Sequence, residues 1–168
     1  PDQRLRFYAQ QSPLVEVDSS YYGMPTPQNA QLWADRTPED FTFNLKAFRL
    51  FTGHQALPTA LHRDIQQALG PDVPRTLYYA DLPREIRDEL WRRFIEALAP
   101  LKAAGKLGAV HFQFAPWLLC NQASRAHVEH CVEKMQGHLV AAEFRHGTWF
   151  HGEQLEQTLA WERSLGLV

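Results

Sequence analysis

Residues Leu139 to Phe150 read LVAAEFRHGTWF, an apolar run that passes directly into a carboxylate, a guanidinium, an imidazole and an indole. Successive side chains of a strand point to opposite faces, so Glu143 and Arg145 share one face while Ala142 and Phe144 take the other. With helices on the apolar face, the charged pair is directed to the opposite side of the sheet. The same arrangement recurs three times upstream. LVEVDS (Leu14 to Ser19) sets Val15 and Val17 against Glu16 and Asp18. FTFNLKA (Phe41 to Ala47) sets Phe41, Phe43 and Leu45 against Asn44 and Lys46, and GAVHFQF (Gly108 to Phe114) sets Val110, Phe112 and Phe114 against His111 and Gln113. One apolar and one polar face fit a parallel barrel with a polar lumen better than a uniformly apolar core.

Helical segments separate these runs. Arg4 to Gln11 reads as a helix ending before Pro13. Thr26 followed by Pro27 is an N-cap with proline in the first turn, opening a helix through Trp33 that stops before Pro38. Thr52-Gly53-His54 reads as a turn, and a short helix is expected near Ala60 to Leu69. Asp81 is expected to cap the clearest helix, in which Ile86, Leu90, Phe94, Leu98 and Leu101 recur at spacings of three or four before Gly105. Gln122 to Gln136 packs Val128, Cys131, Val132 and Met135, and Glu153 to Leu165 closes before Gly166. Strand and helix units in alternation predict a parallel sheet with helical crossovers. A doubly wound nucleotide-binding sheet would carry GxGxxG or GxxxxGK[ST] after a strand, and neither pattern follows any of these strands. The expected class is α/β, of the (β/α)8 TIM-barrel type, with about four βα units.

Composition narrows the function classes. The 168 residues are 45% hydrophobic and 12% aromatic, enough for one domain with its own core. A net charge of -2 and a pI near 6.5 give no basic surplus for phosphate neutralisation, which sets nucleic acid aside as the main partner. Cys120 and Cys131 form neither a disulfide framework nor a CxxC spacing, so a reducing, cytoplasmic setting is expected. The longest membrane-span candidate, Gly108 to Cys120, is interrupted by His111 and Gln113, and no membrane association is expected. His127 and Cys131 stand four residues apart on a helix, but Cys131 belongs to the apolar stripe and reads as packing.

Four segments also resemble a known family: VEVDSSYYGMP (Val15 to Pro25), FNLKAFRLFTGH (Phe43 to His54), KLGAVHFQFAPW (Lys106 to Trp117) and AAEFRHGTWF (Ala141 to Phe150). In consistent order along nearly the whole chain they are similar to the YecE-like family, the domain of unknown function numbered 72. The resemblance implies a TIM barrel without an established activity. It also implies that these residues are the middle portion of a barrel whose first and last strands lie outside residues 1–168. Four strands alone cannot close a cylinder, and an open parallel half leaves two unpaired edges. Asp18 stands where the family commonly has asparagine, adding a negative charge to the mouth, and Ala115 stands where a second proline is common.

Glu16, Asp18, Lys46, Gln113, Glu143 and Arg145 fall on one parity toward the C-terminal strand ends, where barrel sites lie. The candidate catalytic residues are Glu143 and Glu16 as general base or an acid and base pair, Lys46 as the cation for an anionic group, and His54 as a loop acid or base. The candidate substrate-binding residues are Asp18, Tyr22, Gln113, Arg145, His146 and Trp149, the indole suited to stacking on a planar ligand. For each there is a structural counterpart: a charge network fixing barrel register, a hydrogen-bonded turn at His54, a wall-capping Trp149. No metal ligand is assigned, although Glu143, Glu16 and His146 together offer metal-binding chemistry. No cofactor and no oligomeric state can be read. The expected function is hydrolysis of a polar or anionic small molecule or phosphoester at the barrel mouth. A non-catalytic metabolite- or partner-binding barrel is the first alternative, and a metal-dependent DNA-repair-type phosphodiesterase, by fold analogy alone, is the second.

Overall fold

All four two-faced runs form strands: β1 (Leu14–Val17), β2 (Thr42–Lys46), β3 (Leu107–Gln113) and β4 (Val140–Glu143). They lie side by side in chain order, and every neighbouring pair is parallel. Parallel neighbours in sequential order, joined through helices, are the winding of a TIM-type barrel wall. The computed structural model describes residues 2–168. The ladder continues past β4, because the Val168 N–H donates to Val140 O at 3.0 Å and Val168 O accepts from the Ala142 N–H at 2.9 Å.

The helices are α1 (Asp2–Gln11), α2 (Ser19–Tyr22), α3 (Pro27–Asp35), α4 (Arg63–Leu69), α5 (Arg84–Ala103), α6 (Gln122–Lys134) and α7 (Gln154–Leu165). Local chemistry accounts for several of their ends. Thr26 Oγ1 accepts the Asn29 N–H at 3.2 Å to start α3, and Asn121 Oδ1 accepts the Ser124 N–H at 2.9 Å to start α6. Gly105 (φ 67°) and Gly166 (φ 70°) take the left-handed conformation just after α5 and α7.

Several expected boundaries move: the fourth strand, expected through Arg145, stops at Glu143 and leaves Arg145 in the loop after it, and three further shifts have a visible local cause. The first strand ends at Val17, because Asp18 already has helical backbone and leads into α2. The helix expected from Ala60 starts at Arg63, after a separate 3-10 turn over Pro58–Ala60. Asp81 does not cap α5. It ends a 3-10 turn over Tyr79–Asp81, and α5 starts after Pro83, whose ring sets φ at −52° without any side-chain cap.

The apolar faces of β2 and β3 are sealed by helices and loops, with Phe43, Leu45, Val110, Phe112 and Phe114 buried. Trp91 from α5 stacks on Phe51 with centroids 3.7 Å apart. Its indole N–H donates to the Tyr79 hydroxyl at 2.8 Å, which meets His130 Nε2 at 2.9 Å, so the buried polar atoms of this layer are satisfied. His127 Nε2 and Cys131 Sγ both face the Phe51 carbonyl, at 2.8 and 3.4 Å, and burial pushes the Cys131 thiol pKa up. This pair is packing, as its place on the apolar stripe predicts.

One irregularity shapes the polar face. The register of β2 and β3 shifts between Phe43 and Leu45, and Asn44 Oδ1 takes the Ala109 N–H at 2.8 Å in place of a ladder carbonyl. Gly108 makes the space, since a Cβ there would overlap Asn44 Oδ1 and lie 2.7 Å from Thr42 Cγ2. At the N-terminal end of β3, buried Lys106 donates to Ala34 O at 2.6 Å and Thr37 O at 2.8 Å, tying the end of α3 to the sheet. Among the described residues, no helix is long and apolar enough to cross a membrane.

Candidate functional site

The polar face carries a continuous chain of charged groups across all four strands. Lys46 Nζ lies 2.8 Å from Asp18 Oδ1 and 3.6 Å from Glu16 Oε1. Glu16 Oε2 meets His111 Nδ1 at 2.8 Å, and His111 Nε2 lies 3.3 Å from Glu143 Oε2. The same Glu143 oxygen accepts from Gln113 Nε2 at 2.8 Å, and Glu143 Oε1 stands 3.8 Å from Arg145 Nε. Register explains the order, since Lys46 pairs with His111 and Gln113 with Glu143 in neighbouring strands. The Lys46 and His111 side chains are only 19% and 20% exposed, against 66% for Asp18, so they form the floor and Asp18 the rim.

Electrostatics follow from this packing. The Asp18 carboxylate hydrogen-bonded to Lys46 holds its ammonium charged above the ordinary lysine range, with Glu16 adding to the effect. Of the two carboxylates at Lys46, Asp18 is the nearer. Lys46 is thereby committed to two anions of its own chain. His111 has a carboxylate facing each ring nitrogen, Glu16 at Nδ1 and Glu143 at Nε2.

A second group of side chains sits above the floor, at the C-terminal strand ends. Gly53 turns the chain at φ 79°, and His54 folds back so that its Nδ1 meets Thr52 Oγ1 at 2.9 Å. Burial lowers the His54 pKa to about 4, and the Arg49 and Arg145 guanidiniums push the same way, so the ring is neutral at neutral pH. Tyr21 meets His54 edge-on at 5.3 Å, and His54 meets Trp117 edge-on at 5.3 Å. The Arg49 guanidinium lies 5.2 Å from the centre of the Tyr21 ring. Arg49 Nε is buried without a hydrogen-bond partner among the described residues.

The structure thus brings Glu16, Asp18, Lys46, Gln113, Glu143 and Arg145 into one network and separates other residues singled out in the sequence. Tyr22 is exposed and touches Tyr21 edge-on. His146 directs Nδ1 to Thr148, accepting its backbone N–H at 3.2 Å and so starting the 3-10 turn Gly147–Trp149. Trp149 is fully buried, stacked on Phe144 at 4.1 Å, with its N–H given to Leu118 O at 2.8 Å, which leaves no face for a ligand. His111 and Asn44, which the alternation places on the polar face but which are not among the candidate site residues, join this face, as do Arg49 and Trp117 at its rim. His111 was legible in principle, because it shares the parity of Gln113. Arg49 and Trp117 lie in loops, where no periodicity marks them.

No group of three His, Cys, Asp or Glu side chains is arranged to hold a metal ion among the described residues. The geometry gives the reason within the network: His111 directs its two nitrogens at two different carboxylates, so Glu16, His111 and Glu143 do not converge on one point.

Known proteins are similar to this chain in sequence and in fold. The UPF0759 protein YunF of Bacillus subtilis (strain 168) is 30% identical over 165 residues, which are 98% of this chain and 50% of YunF. The chain therefore spans about half the length of this curated relative. A crystal structure of a DUF72 family protein from Enterococcus faecalis V583 matches with a TM-score of 0.76 at 25% identity, over 98% of this chain and 57% of that one. One from Thermotoga maritima MSB8 matches with a TM-score of 0.64 at 22% identity, over 99% and 54%. The family model described as "Protein of unknown function DUF72" matches residues 1–168. With sequence match and fold in agreement along its whole length, the chain belongs to the DUF72 family.

Proposed function

We propose that the polar face is a hydrolytic site for a polar, anionic small molecule, a phosphoester being the simplest case. The observation that carries this reading is the imidazole of His111 held between two carboxylates, 2.8 Å from Glu16 and 3.3 Å from Glu143. Glu143 is the general base that takes a proton from attacking water. His111 links it to Glu16, and Gln113 orients the Glu143 carboxylate through their 2.8 Å hydrogen bond. Arg145, beside Glu143 and exposed, meets the developing negative charge. Lys46 sets the charge of the floor through Asp18 and Glu16 rather than binding the ligand. The unpaired Cys120 and Cys131 support a cytoplasmic setting for such a ligand.

A screen of phosphoester hydrolysis with the wild type, Glu143→Gln and His111→Gln tests this. Turnover should fall by about 100-fold or more in Glu143→Gln with KM little changed. The second reading is a binding barrel without turnover. It is favoured by the partners that Lys46 and Glu143 already hold within the chain. Saturable binding with no turnover in the wild type would decide for it.

A further inference from the structure

The acid–base network leaves the ligand's binding groups unassigned, since its one buried-side cation, Lys46, is neutralised by Asp18 and Glu16. Above the floor lies a second set of groups, one of which, Arg145, is also the outermost member of the network, 3.8 Å from Glu143 Oε1. Tyr21 follows β1, Arg49 and His54 follow β2, Trp117 follows β3 and Arg145 follows β4, so each of four successive strands delivers a side chain to the same rim. The rings form a continuous edge-to-face row, Tyr21 to His54 to Trp117, with both centroid separations 5.3 Å. Arg49 lies on the first ring and shows no ion pair with a carboxylate among the described residues. Its Nε is buried without a hydrogen-bond partner among the described residues, an unsatisfied donor of the kind that calls for an explanation. Trp117 ends the row and is 55% exposed, a large indole left in solvent beside polar groups.

We infer that Arg49 and Arg145 form an anion subsite and Trp117 a stacking platform beside it, so that the site takes a small phosphorylated molecule bearing a planar ring. Two guanidiniums suit the planar, bidentate recognition of phosphate better than the point charge of a lysine. His54 stays neutral, since its own burial and then both guanidiniums disfavour its proton, and so it adds no third charge. The exposed indole supplies the π-face that a flat ring needs and that the charged floor lacks. The inference names the ligand class for the hydrolytic reading and rests on that reading for the reaction, not for the binding.

The test measures binding of phenyl phosphate, inorganic phosphate and phenol by calorimetry to the wild type, Arg49→Gln, Arg145→Gln, Trp117→Ala and Glu143→Gln, with circular dichroism checking each fold. Phenyl phosphate should bind the wild type and lose about tenfold in each arginine variant. Trp117→Ala should abolish the preference for phenyl phosphate over inorganic phosphate while leaving the latter unchanged. Arg145 and Trp117 are exposed, so their variants report even if Arg49→Gln fails to fold. No phenyl phosphate binding by the wild type, or binding unaffected by both Arg145→Gln and Trp117→Ala, overturns the subsite. Binding as described without hydrolysis keeps the subsite and overturns the hydrolytic reading. Hydrolysis that Glu143→Gln removes, with binding insensitive to Arg145 and Trp117, does the reverse.

Discussion

Nδ1 of His111 stands 2.8 Å from Oε2 of Glu16, although the two residues belong to strands that do not touch. β2 lies between them, and two strand spacings amount to roughly 9–10 Å at the backbone. The two long side chains lean toward each other across β2 and meet beside Lys46, which pairs in register with His111. This one bond therefore joins the first strand's carboxylate to the third strand's imidazole across the middle of the site.

A double-mutant cycle measures that contact. Glu16→Gln and His111→Gln, alone and together, should show a coupling of about 0.5–1 kcal/mol in urea denaturation at neutral pH, since Glu16 is partly solvated and the pair is screened. Strictly additive effects would mean that the two side chains do not interact in solution.

A second prediction concerns acid. Folding holds His54 near a pKa of about 4, against an ordinary value of 6.5. Between these values the unfolded chain binds a proton that the folded chain does not, so stability is lost as pH falls from about 6.5 to about 4. After allowance for solvent at the mouth, His54 should contribute about 1–2 kcal/mol to that loss. His127, His130 and His138 are shifted in the same direction by burial, so the His54 share is the difference between wild type and His54→Gln. Parallel stability curves for the two proteins would show that His54 titrates normally.

The strands were legible because period-two alternation survives wherever one face is apolar and the other wet, as in FNLK and HFQF. The polar parity of Glu16, Lys46, Gln113 and Glu143 was legible for the same reason. What could not be read depends on the third dimension. The link from Glu16 to His111 depends on which strands are neighbours and in what register. The failure of Asp81 as a cap arises from competition, because Pro83 starts α5 without a side-chain donor or acceptor while Asp81 completes a 3-10 turn. Asn44 replaces a ladder bond at an irregular register, which no alternation pattern announces.

That irregularity is itself testable. Gly108→Ala would drive a methyl group into Asn44 Oδ1 and Thr42 Cγ2, in a strand whose backbone cannot retreat without breaking the β2 and β3 pairing. The expected loss is about 1–3 kcal/mol in urea denaturation. An unchanged midpoint would show that Asn44 swings aside freely and that its bond to the Ala109 N–H is dispensable.

Lys106 is a stability residue at the end of the sheet away from the site. Lys106→Met removes the ammonium that Ala34 O, Thr37 O and Thr37 Oγ1 share, and leaves buried carbonyls at the end of α3 without their donor. A loss of about 2–3 kcal/mol is expected, with phenyl phosphate affinity unchanged in the folded protein. A variant as stable as the wild type would assign those carbonyls to water.

The two tryptophans that follow β3 and β4 should part company on substitution. Trp149 is sealed between Phe144 at 4.1 Å and Trp161 at 5.7 Å, and its N–H satisfies Leu118 O in the loop after β3. Trp149→Phe keeps the stacking but leaves that carbonyl unpaired, so about 1–3 kcal/mol of stability should go while ligand affinity stays. Trp117 reverses the pattern. Its exposed ring contributes little to folding, so Trp117→Ala should change stability by no more than about 0.5 kcal/mol while removing the preference for a ring-bearing phosphate. Paired urea melts and calorimetric titrations of the two variants separate the roles. Weakened binding in a fully folded Trp149→Phe would place the buried indole in the site after all, and with it the loop that joins β4 to α7.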